Sequence, residues 1–445
     1  MPWCYVEYEY DKGAQAPKGS GRCLKGMENV KQQRLFTYEN GALVMLGATF
    51  ALVFVDRLAL NYIFPFIAPD LHLGNTQLGE LASVLALAWA ISGPVSGLFA
   101  SYVAKKKLLL ILSLVLFSLC SLFSGTITTF GTLLLFRLLM GIAEGPTLPL
   151  CQSIMAVESS ESRRGLNAGL LQITSTNILS ALIAPVVLVA IATSFNWRDA
   201  FYATCIPGIV VAAIMMRFLR EPKTVNSLVV DQQKQEQQSH WTLREVLRHR
   251  NIWLGAIVGC CSCTWYLLTV TFAPTYMVNT LHLAPVTMSY VMSGLGVAGV
   301  VWGFGVNAIS DRIGRKPALV LFAFISTLSP LTVLFFHPSV VLFAVALAVV
   351  HCGVGITPLY MAVIPSESVP TRYLPACMGL LTGVPELFGG VLMSNVAGRA
   401  ADLINPGAPF AIAAVAAFLS GLLSLFIVET APARVKLKIS VATAP

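Results

Sequence analysis

Six ionisable side chains lie inside long apolar stretches of this 445-residue chain: Asp56, Arg57, Arg137, Glu144, His351 and Glu386. If these stretches span a membrane, each charge is costly unless it is paired or faces a water-filled cavity. Residues that bear this cost are typical of sites that bind ions or move protons. The chemistry that they predict is therefore recognition of a charged solute and exchange of protons.

Arg57 and Glu144 have the most specific predicted roles. A guanidinium group offers two parallel hydrogen bonds to a carboxylate, so Arg57 is predicted to bind an anionic substrate, with Arg137 as a second candidate. A rise of about 1.5 Å per residue places Glu144 near the membrane midplane, where loss of hydration can keep a carboxylate neutral until it exchanges a proton. Asp56 is a second candidate for this exchange. A purely structural Asp56–Arg137 pair between helices is the alternative interpretation.

Glu386 and His351 are further proton-coupling candidates, and both are predicted near mid-depth. Glu386 follows Pro385 and precedes Gly389 and Gly390, a pattern that can break a helix and expose its backbone in a cavity. His351 lies among small residues, so a packed, hydrogen-bonded histidine is the alternative to a functional one.

Neutral polar and aromatic side chains complete the predicted substrate site. These candidates are Asn61, Gln172, Thr176, Tyr266 and Tyr360. Gln172 and Thr176 share a helix face because they are four residues apart. Bridging between helices or aromatic packing is the alternative for each of them. Cys260, Cys261 and Cys263 have no nearby histidine or acidic partner, so neither a metal nor another cofactor is predicted.

Composition indicates what positions these residues. Hydrophobic residues make up 56% of the chain and charged residues only 11%, well below the roughly 25% charge of a soluble domain. About twelve apolar runs of roughly 20 residues are each long enough to cross a bilayer as a helix. They begin near Gly41, Gln77, Lys107, Thr129, Gly165, Arg198, Asn251, Pro285, Pro317, Pro338, Leu374 and Ala408. We therefore predict an all-α membrane protein with twelve transmembrane helices.

The distribution of positive charge orients these helices. Alternate threading places 25 of the 29 Lys and Arg residues on the side that holds the N-terminus. Of the others, Arg198 and Arg399 fall on the opposite side, and Arg57 and Arg137 fall within helices. Cytoplasmic loops carry such an excess, which predicts that both termini are cytoplasmic. This orientation accounts for the net charge of +8 without nucleic-acid binding.

The N-terminal segment gives weaker signals. Its first 26 residues are polar and rich in Gly and Lys, which predicts a disordered arm, or an upstream artefact if translation starts at Met27. No apolar stretch with a small-residue cleavage site precedes Gly41, so no signal peptide is predicted. The sequence contains no Asn-x-Ser/Thr glycosylation acceptor, which favours a bacterial inner membrane.

An internal repeat divides the chain. Three pairs of landmarks recur at an offset of 210 residues: Ala104 with Gly314, Gly145 with Gly355, and Gly169 with Gly379. Because their order is not inverted, they predict two parallel six-helix halves with a substrate site between them. The predicted divisions are an arm (1–40), an N-terminal bundle (41–220), a central loop (221–249), a C-terminal bundle (250–430) and a tail (431–445). An amphipathic surface helix is predicted over 241–250.

The segment N-A-I-S-D-R-I-G-R-K (307–316) resembles the loop 8–9 signature of the major facilitator superfamily, G-x-x-x-D-R-x-G-R-K. The matching residues are Asp311, Arg312, Gly314, Arg315 and Lys316, with Asn307 at the leading Gly position. The loop 2–3 copy keeps Gly97 and a Lys run, but Ser101 and Ala104 replace Asp and Gly. In the family this Asp is thought to form a latch that holds the outward-open state. The resemblance implies such a latch only in the second half, at Asp311.

Two further motifs resemble the anion:cation symporter branch, which includes bacterial sugar-acid and aromatic-acid proton symporters. They are F-V-D-R-L-A-L-N (54–61) and F-R-L-L-M-G-I-A-E-G-P-T-L-P (136–149), in which Asp56, Arg57, Arg137, Gly141, Glu144 and Pro149 match. F-N-W-R-D-A-F-Y (195–202) also fits the branch, whereas I-P-S-E-S-V-P (364–370) is less typical of it.

The resemblance implies a secondary transporter, a monomer in the lipid bilayer that imports a small organic anion, such as a sugar acid or an aromatic acid, with protons by alternating access. A proton-driven exporter of drugs or metabolites is the alternative, although its Gly-Pro signature in helix 5 is absent here. Sodium coupling also stays open. The sequence has no nucleotide-binding loop and no nucleophile constellation, so neither ATP-driven transport nor an enzyme is predicted.

Overall fold

The computed structural model describes residues 38–100, 105–160, 163, 167, 169–171, 177–221, 249–370 and 373–431. Within these ranges the chain forms helices and turns and no strand. Most of the predicted arm, the central loop with its surface helix, and the tail lie outside the described residues.

Twelve helical spans run through the described chain, as the apolar runs predict. Eleven have the length and hydropathy to cross a membrane, and the twelfth has 17 residues, at the lower end of the spanning range. They are α1 Tyr38–Leu71, α2 Asn75–Ala100, α3 Lys106–Ser124, α4 Phe130–Glu158, α5 Asn177–Ser194, α6 Trp197–Phe218, α7 Arg250–Asn279, α8 Pro285–Ile313, α9 Arg315–Phe335, α10 Val340–Ser368, α11 374–403 and α12 Ala408–Ser424.

Side-chain caps fix where three of these helices begin. Thr129, Asn196 and Ser339 accept hydrogen bonds from backbone N–H groups in the first turns of α4, α6 and α10. Such caps satisfy N–H groups that have no partner within the helix. All three caps lie on one side of the bundle, which we call the far side. The terminal side is the opposite one, where α1 begins and α12 ends.

The repeat is visible in the backbone. His72 and His282 follow α1 and α7, and each has a left-handed φ of 52°. Their separation is the 210-residue offset of the sequence landmarks. Asn61 and Thr271 share this offset, and the Asn61 amide donates to the Thr271 hydroxyl at 3.5 Å. Equivalent residues of α1 and α7 thus meet where the two six-helix bundles face each other.

Helix packing places a cavity between the bundles. In the first bundle α2 packs on α4 and α3 on α6, and in the second α12 packs on α7 and α9. The pairs α1–α7, α2–α11 and α5–α8 join the two bundles. On the outer surface of α3, Leu108, Leu112 and Leu116 are exposed at a spacing of four residues. This apolar stripe fits a lipid-facing surface.

Three helices change their winding beside the cavity. α5 and α11 contain π-helical turns at Asn177–Ile183 and Glu386–Met393, and α10 contains a 3₁₀ turn at His351–Ile356. Such turns are frequent at functional sites. The sequence allowed for a break in α11 after Pro385, but the chain stays helical there and widens into the π turn. The backbone of Gly389 packs closely on α7, where an added Cβ would lie 2.7 Å from the Thr264 nitrogen.

Candidate functional site

The cavity between the bundles has a volume of about 240 Å³. The first bundle contributes Phe50, Phe54 and Arg57 from α1, Trp89 from α2, Leu148 from α4, and Asn177, Ser180 and Ala181 from α5. The lining residues of the second bundle include Ser262, Cys263, Tyr266, Tyr360, Met361, Met378, Thr382 and Glu386. Arg57, Glu386, Tyr266 and Tyr360, all predicted site residues, therefore share one cavity.

Arg57 forms an ion pair with Glu386 across the bundle interface. The two residues are 329 positions apart, and each side chain is only 11% exposed. The guanidinium carbon also lies 5.7 Å from the ring centre of Trp89, within the range of a cation–π contact. The residue predicted to bind an anionic substrate thus already holds a carboxylate, supplied by the opposite bundle.

Asp56 and Arg137 are in contact, but not as an ion pair of side chains. Nη1 of Arg137 donates to the backbone carbonyl of Asp56 at 3.2 Å. The Asp56 carboxylate instead accepts a hydrogen bond from the Ser121 hydroxyl at 2.8 Å, and Ser121 lies 2.6 Å from the Thr204 hydroxyl. Asp56 therefore faces α3 and α6 inside the first bundle rather than the cavity.

Glu144 is the least satisfied polar residue of the site. Its side chain is fully buried, and neither carboxylate oxygen has a hydrogen-bond partner among the described residues. It interacts electrostatically with Asp56, Arg57 and Arg137. Two nitrogens of Arg137 also have no hydrogen-bond partner within the described part of the chain. An ionised carboxylate without donors costs several kcal/mol when buried, and a bound proton removes that cost. The surroundings of Glu144 suit a group that gains and loses a proton.

A second, smaller cavity adjoins this cluster. It has a volume of about 20 Å³, and Arg57, Asn61, Arg137 and Thr271 are among its lining residues. That volume accommodates about one water molecule between several polar groups. Asn61, predicted as a substrate contact, therefore lies beside the main cavity and not on its wall.

The remaining predicted residues lie elsewhere. His351 is buried, with Nδ1 3.3 Å from the Ser329 hydroxyl and its ring centre 5.0 Å from that of Trp265, so it packs behind the cavity wall. Gln172 and Thr176 lie outside the described residues. Gly97 is in the last turn of α2, and Ser101 and Ala104 of the loop 2–3 motif are not described.

The bundles meet closely on the far side of the cavity. The carboxylate of Asp402, in α11, accepts four hydrogen bonds of 2.7–3.1 Å from the backbone and side chains of Asn75 and Thr76, at the start of α2. One bundle thus caps a helix of the other. Glycines allow this approach, since an added Cβ on Gly398 would lie 2.6 Å from the Asn75 carbonyl oxygen. The far side is closed, and the cavity lies on its terminal side.

A charged network lies on the terminal side of the second bundle. Arg315 binds both Asp311 and Glu367, the latter at 3.0 Å. Glu429 accepts hydrogen bonds from the backbone N–H groups of Arg315 and Lys316 at 2.9 and 3.1 Å. Gly314 has a φ of 106°, a backbone conformation that residues with a Cβ rarely adopt, and an added Cβ would also lie 2.6 Å from a Glu429 carboxylate oxygen. The loop 8–9 motif thus ties α9 to the end of α10 and to the segment after α12.

We expect Arg315→Gln to slow transport more than Asp311→Asn does. Arg315 is mostly buried and joins several groups, whereas the Asp311 side chain is 66% exposed, and exposed ion pairs contribute at most about 1 kcal/mol. Initial transport rates and Tm measured on both variants check this, with Arg250→Gln, at an exposed position on the same side of the second bundle, as control. A larger loss with Asp311→Asn would instead assign the latch to Asp311, as the motif alone predicts.

We expect Gly398→Ala to prevent closure of the far side. The added methyl group meets the α2 backbone, and overpacking of this kind costs about 1–3 kcal/mol, which corresponds to about a 5- to 150-fold slower transport rate. Gly383→Ala is the matched control on the same helix, because nothing lies within 4 Å of its Cβ position. Distances between spin labels at Phe195 and Leu403 report the closure. Unchanged distances in Gly398→Ala would show that α11 can shift to make room.

Several residues of the site carried no specific signal in the sequence. Ser121 and Thr204 hold Asp56, but hydroxyl side chains are common in transmembrane helices. Trp89 belongs to the set of aromatic residues that usually serve as packing or interface anchors. Glu367 lies in the less typical segment 364–370, and no pattern there indicated that it binds Arg315 of the loop motif. No local sequence pattern predicts that Asp402 caps the start of α2.

These features define a class of protein: a multi-pass membrane transporter with two six-helix bundles around a central cavity. The family model of the Major Facilitator Superfamily matches residues 46–393, and the chain belongs to this family. Membership in a family of transporters agrees with the prediction that the chain is not an enzyme. It also accounts for the loop 8–9 signature.

Two curated relatives come from Bacillus subtilis (strain 168). The "Hexuronate transporter" is 26% identical over 270 residues, which are 60% of this chain and 63% of that protein, so the match spans just under two thirds of its length. The "Probable galactarate/D-glucarate transporter" is 25% identical over 378 residues, 78% of this chain and 81% of that protein. These relatives support the resemblance to the anion:cation symporter branch that the motifs of α1 and α4 predicted.

The fold is also that of a solved structure, the inward open conformation of the xylose transporter XylE from E. coli. The TM-score is 0.70 at 14% identity, and the match covers 88% of this chain and 97% of that chain. At this identity the likeness concerns the fold alone.

Proposed function

We propose that the protein imports a small organic anion together with protons. The observation that carries this proposal is Arg57, a buried cation on the wall of the central cavity. It is held by Glu386 and lies within electrostatic range of Glu144. A cation that already binds a carboxylate in this position can exchange it for the carboxylate of a substrate. The two Bacillus relatives are named as transporters of hexuronate and of galactarate/D-glucarate. Their names support an organic acid as the substrate.

In the proposed cycle the bundles 41–220 and 250–430 rock about the cavity and open it to one side at a time. A substrate carboxylate replaces the Glu386 carboxylate on Arg57. Protons on Glu144 and Asp56 offset the charge that the anion brings into the site. His351, packed behind the wall, has no step in this cycle. A single chain suffices, because both halves of the site belong to it.

Uptake into proteoliposomes tests the proposal. We expect labelled glucuronate or another organic anion to accumulate when the outside is acidic, without added sodium, and a protonophore to abolish the accumulation. Liposomes without protein are the control for passive entry. Accumulation that requires sodium instead would overturn proton coupling, and proton-driven extrusion of these compounds would favour the exporter.

We also propose a bacterial inner membrane location with cytoplasmic termini. The reason is that most Lys and Arg residues fall on the side of the membrane that holds the termini. Reporter fusions after Arg34, Gln235 and Lys438 are expected to give a cytoplasmic signal in every case. A fusion after Asn196, which caps α6 on the far side, is the control and should report the periplasm. A periplasmic signal from any of the first three would contradict the threading.

A further inference from the structure

We infer that the substrate is a small carboxylate with an apolar body, an aromatic or alicyclic acid rather than a sugar acid. This inference rests on the proposed function, because it takes Arg57 as the group that binds the carboxylate. It departs from the sugar acids named for the two Bacillus relatives. The side chains that form the cavity walls support it.

Aromatic rings line the cavity on both sides. Phe50, Phe54 and Trp89 come from the first bundle, and Tyr266 and Tyr360 come from the second. The rings of Phe50 and Phe54 meet edge to face, with centres 5.3 Å apart. A flat or alicyclic ring between these surfaces buries apolar area and contacts ring faces and edges.

Several hydroxyl groups of the wall already have hydrogen-bond partners within the protein. The Thr382 hydroxyl donates at 2.7 Å to a carbonyl of its own helix, and the hydroxyls of Ser262 and Ser420 lie 3.0 Å apart. Asn177 and Ser180 also take part in interactions within the protein. A sugar acid brings several hydroxyl groups, and each one that leaves water without a new partner weakens binding. These walls therefore favour a ring without hydroxyl groups.

The charged groups of the cavity wall lie together, because Arg57 and Glu386 form an ion pair. They are the charged lining residues of the cavity, beside Trp89, while Met361 and Met378 line it elsewhere. Methionine side chains are flexible and adapt to apolar ligands of different shape. The volume of about 240 Å³ lies below the range of about 300–1,000 Å³ for drug-sized ligands, which fits a molecule with a single ring. A carboxylate on Arg57 with its ring directed towards the methionines satisfies both parts of the cavity.

Binding of two matched acids to the purified protein tests this inference. Cyclohexanecarboxylate and glucuronate both carry one carboxylate on a six-membered ring, and only glucuronate carries hydroxyl groups. We expect calorimetry to give a Kd at least about tenfold lower for cyclohexanecarboxylate, since each glucuronate hydroxyl group that leaves water without a new partner weakens binding. Cyclohexanecarboxamide, the uncharged control, should bind more weakly than the acid. Equal or tighter binding of glucuronate overturns the inference and leaves the proposed function intact.

The other outcomes separate the inference from the proposed function. If the amide binds as tightly as the acid, Arg57 does not select an anion, and both fail. If neither acid binds, the inference fails, and the proteoliposome test decides the proposed function by itself. Binding, unlike uptake, is not confounded by apolar acids that cross the lipid in their neutral form.

A wall variant provides a second readout. Met361→Gln adds hydrogen-bonding groups to the apolar part of the cavity, and we expect the ratio of the two Kd values to fall several-fold towards glucuronate. Phe54→Leu removes an aromatic face at similar volume and should weaken binding of benzoate. Phe418→Leu, at an exposed position on the outer surface, is its control. A ratio unchanged by Met361→Gln would contradict the assignment of that wall to the ring.

Discussion

Replacement of Glu144 by Gln is expected to abolish acid-driven accumulation of the substrate and to leave substrate exchange intact. Glu144 has a fully buried carboxylate with no hydrogen-bond partner among the described residues. It is near enough to Arg57 for their charges to interact. The protonation of Glu144 is therefore coupled to the binding of an anion by Arg57. Gln is nearly isosteric with the protonated acid, so the variant imitates the loaded state permanently.

The size of the effect follows from the gradient. One pH unit supplies about 1.4 kcal/mol per proton, enough for about tenfold accumulation. If Glu144 carries the coupled proton, accumulation by Glu144→Gln should fall to the level of the external concentration. Exchange of internal for external substrate needs no net proton movement and should keep a rate close to that of the wild type.

Glu158→Gln is the matched control for this variant, because Glu158 ends the same span on the terminal side. Uptake with and without an imposed pH gradient, measured in parallel with exchange, separates coupling from binding. Full gradient-driven accumulation by Glu144→Gln would falsify this role and move the coupled proton to Asp56 or Glu386.

Replacement of Arg57 by Ala is expected to weaken both uptake and exchange. Truncation of one partner of a buried charged contact costs about 2–5 kcal/mol, which corresponds to at least about a thirtyfold loss of affinity for the anion. Arg57→Lys should lose part of this affinity, because an ammonium group lacks the planar pair of donors. Calorimetric Kd values and exchange rates measure both effects.

The single variant Arg57→Ala also leaves Glu386 buried without its partner, which destabilises the protein by itself. The double variant Arg57→Ala/Glu386→Gln separates the two effects: we expect it to regain Tm but not anion binding. Glu386→Gln alone should bind the anion more tightly than the wild type, because the internal competitor for Arg57 is gone. Recovery of anion binding in the double variant would show that Arg57 acts only through the ion pair.

The sequence by itself determined the membrane fold and singled out the charged residues around which the candidate site is built. Long apolar runs must form helices in lipid, because each backbone polar group has to be satisfied within its own segment. The distribution of Lys and Arg and the 210-residue repeat then predict the threading and the two bundles. Buried charges are so costly in a membrane that Arg57, Glu144 and Glu386 stand out without any structure.

Only the tertiary structure decided which of these residues meet. The Arg57–Glu386 pair, the contact of Asp56 with Ser121 and the cap that Asp402 provides for α2 each join different helices, and two of the three join different bundles. The rotation and depth of each helix set these contacts through packing of the whole helix face, to which many weak contacts contribute. A linear pattern shows that a charge needs a partner, but helix packing selects the partner.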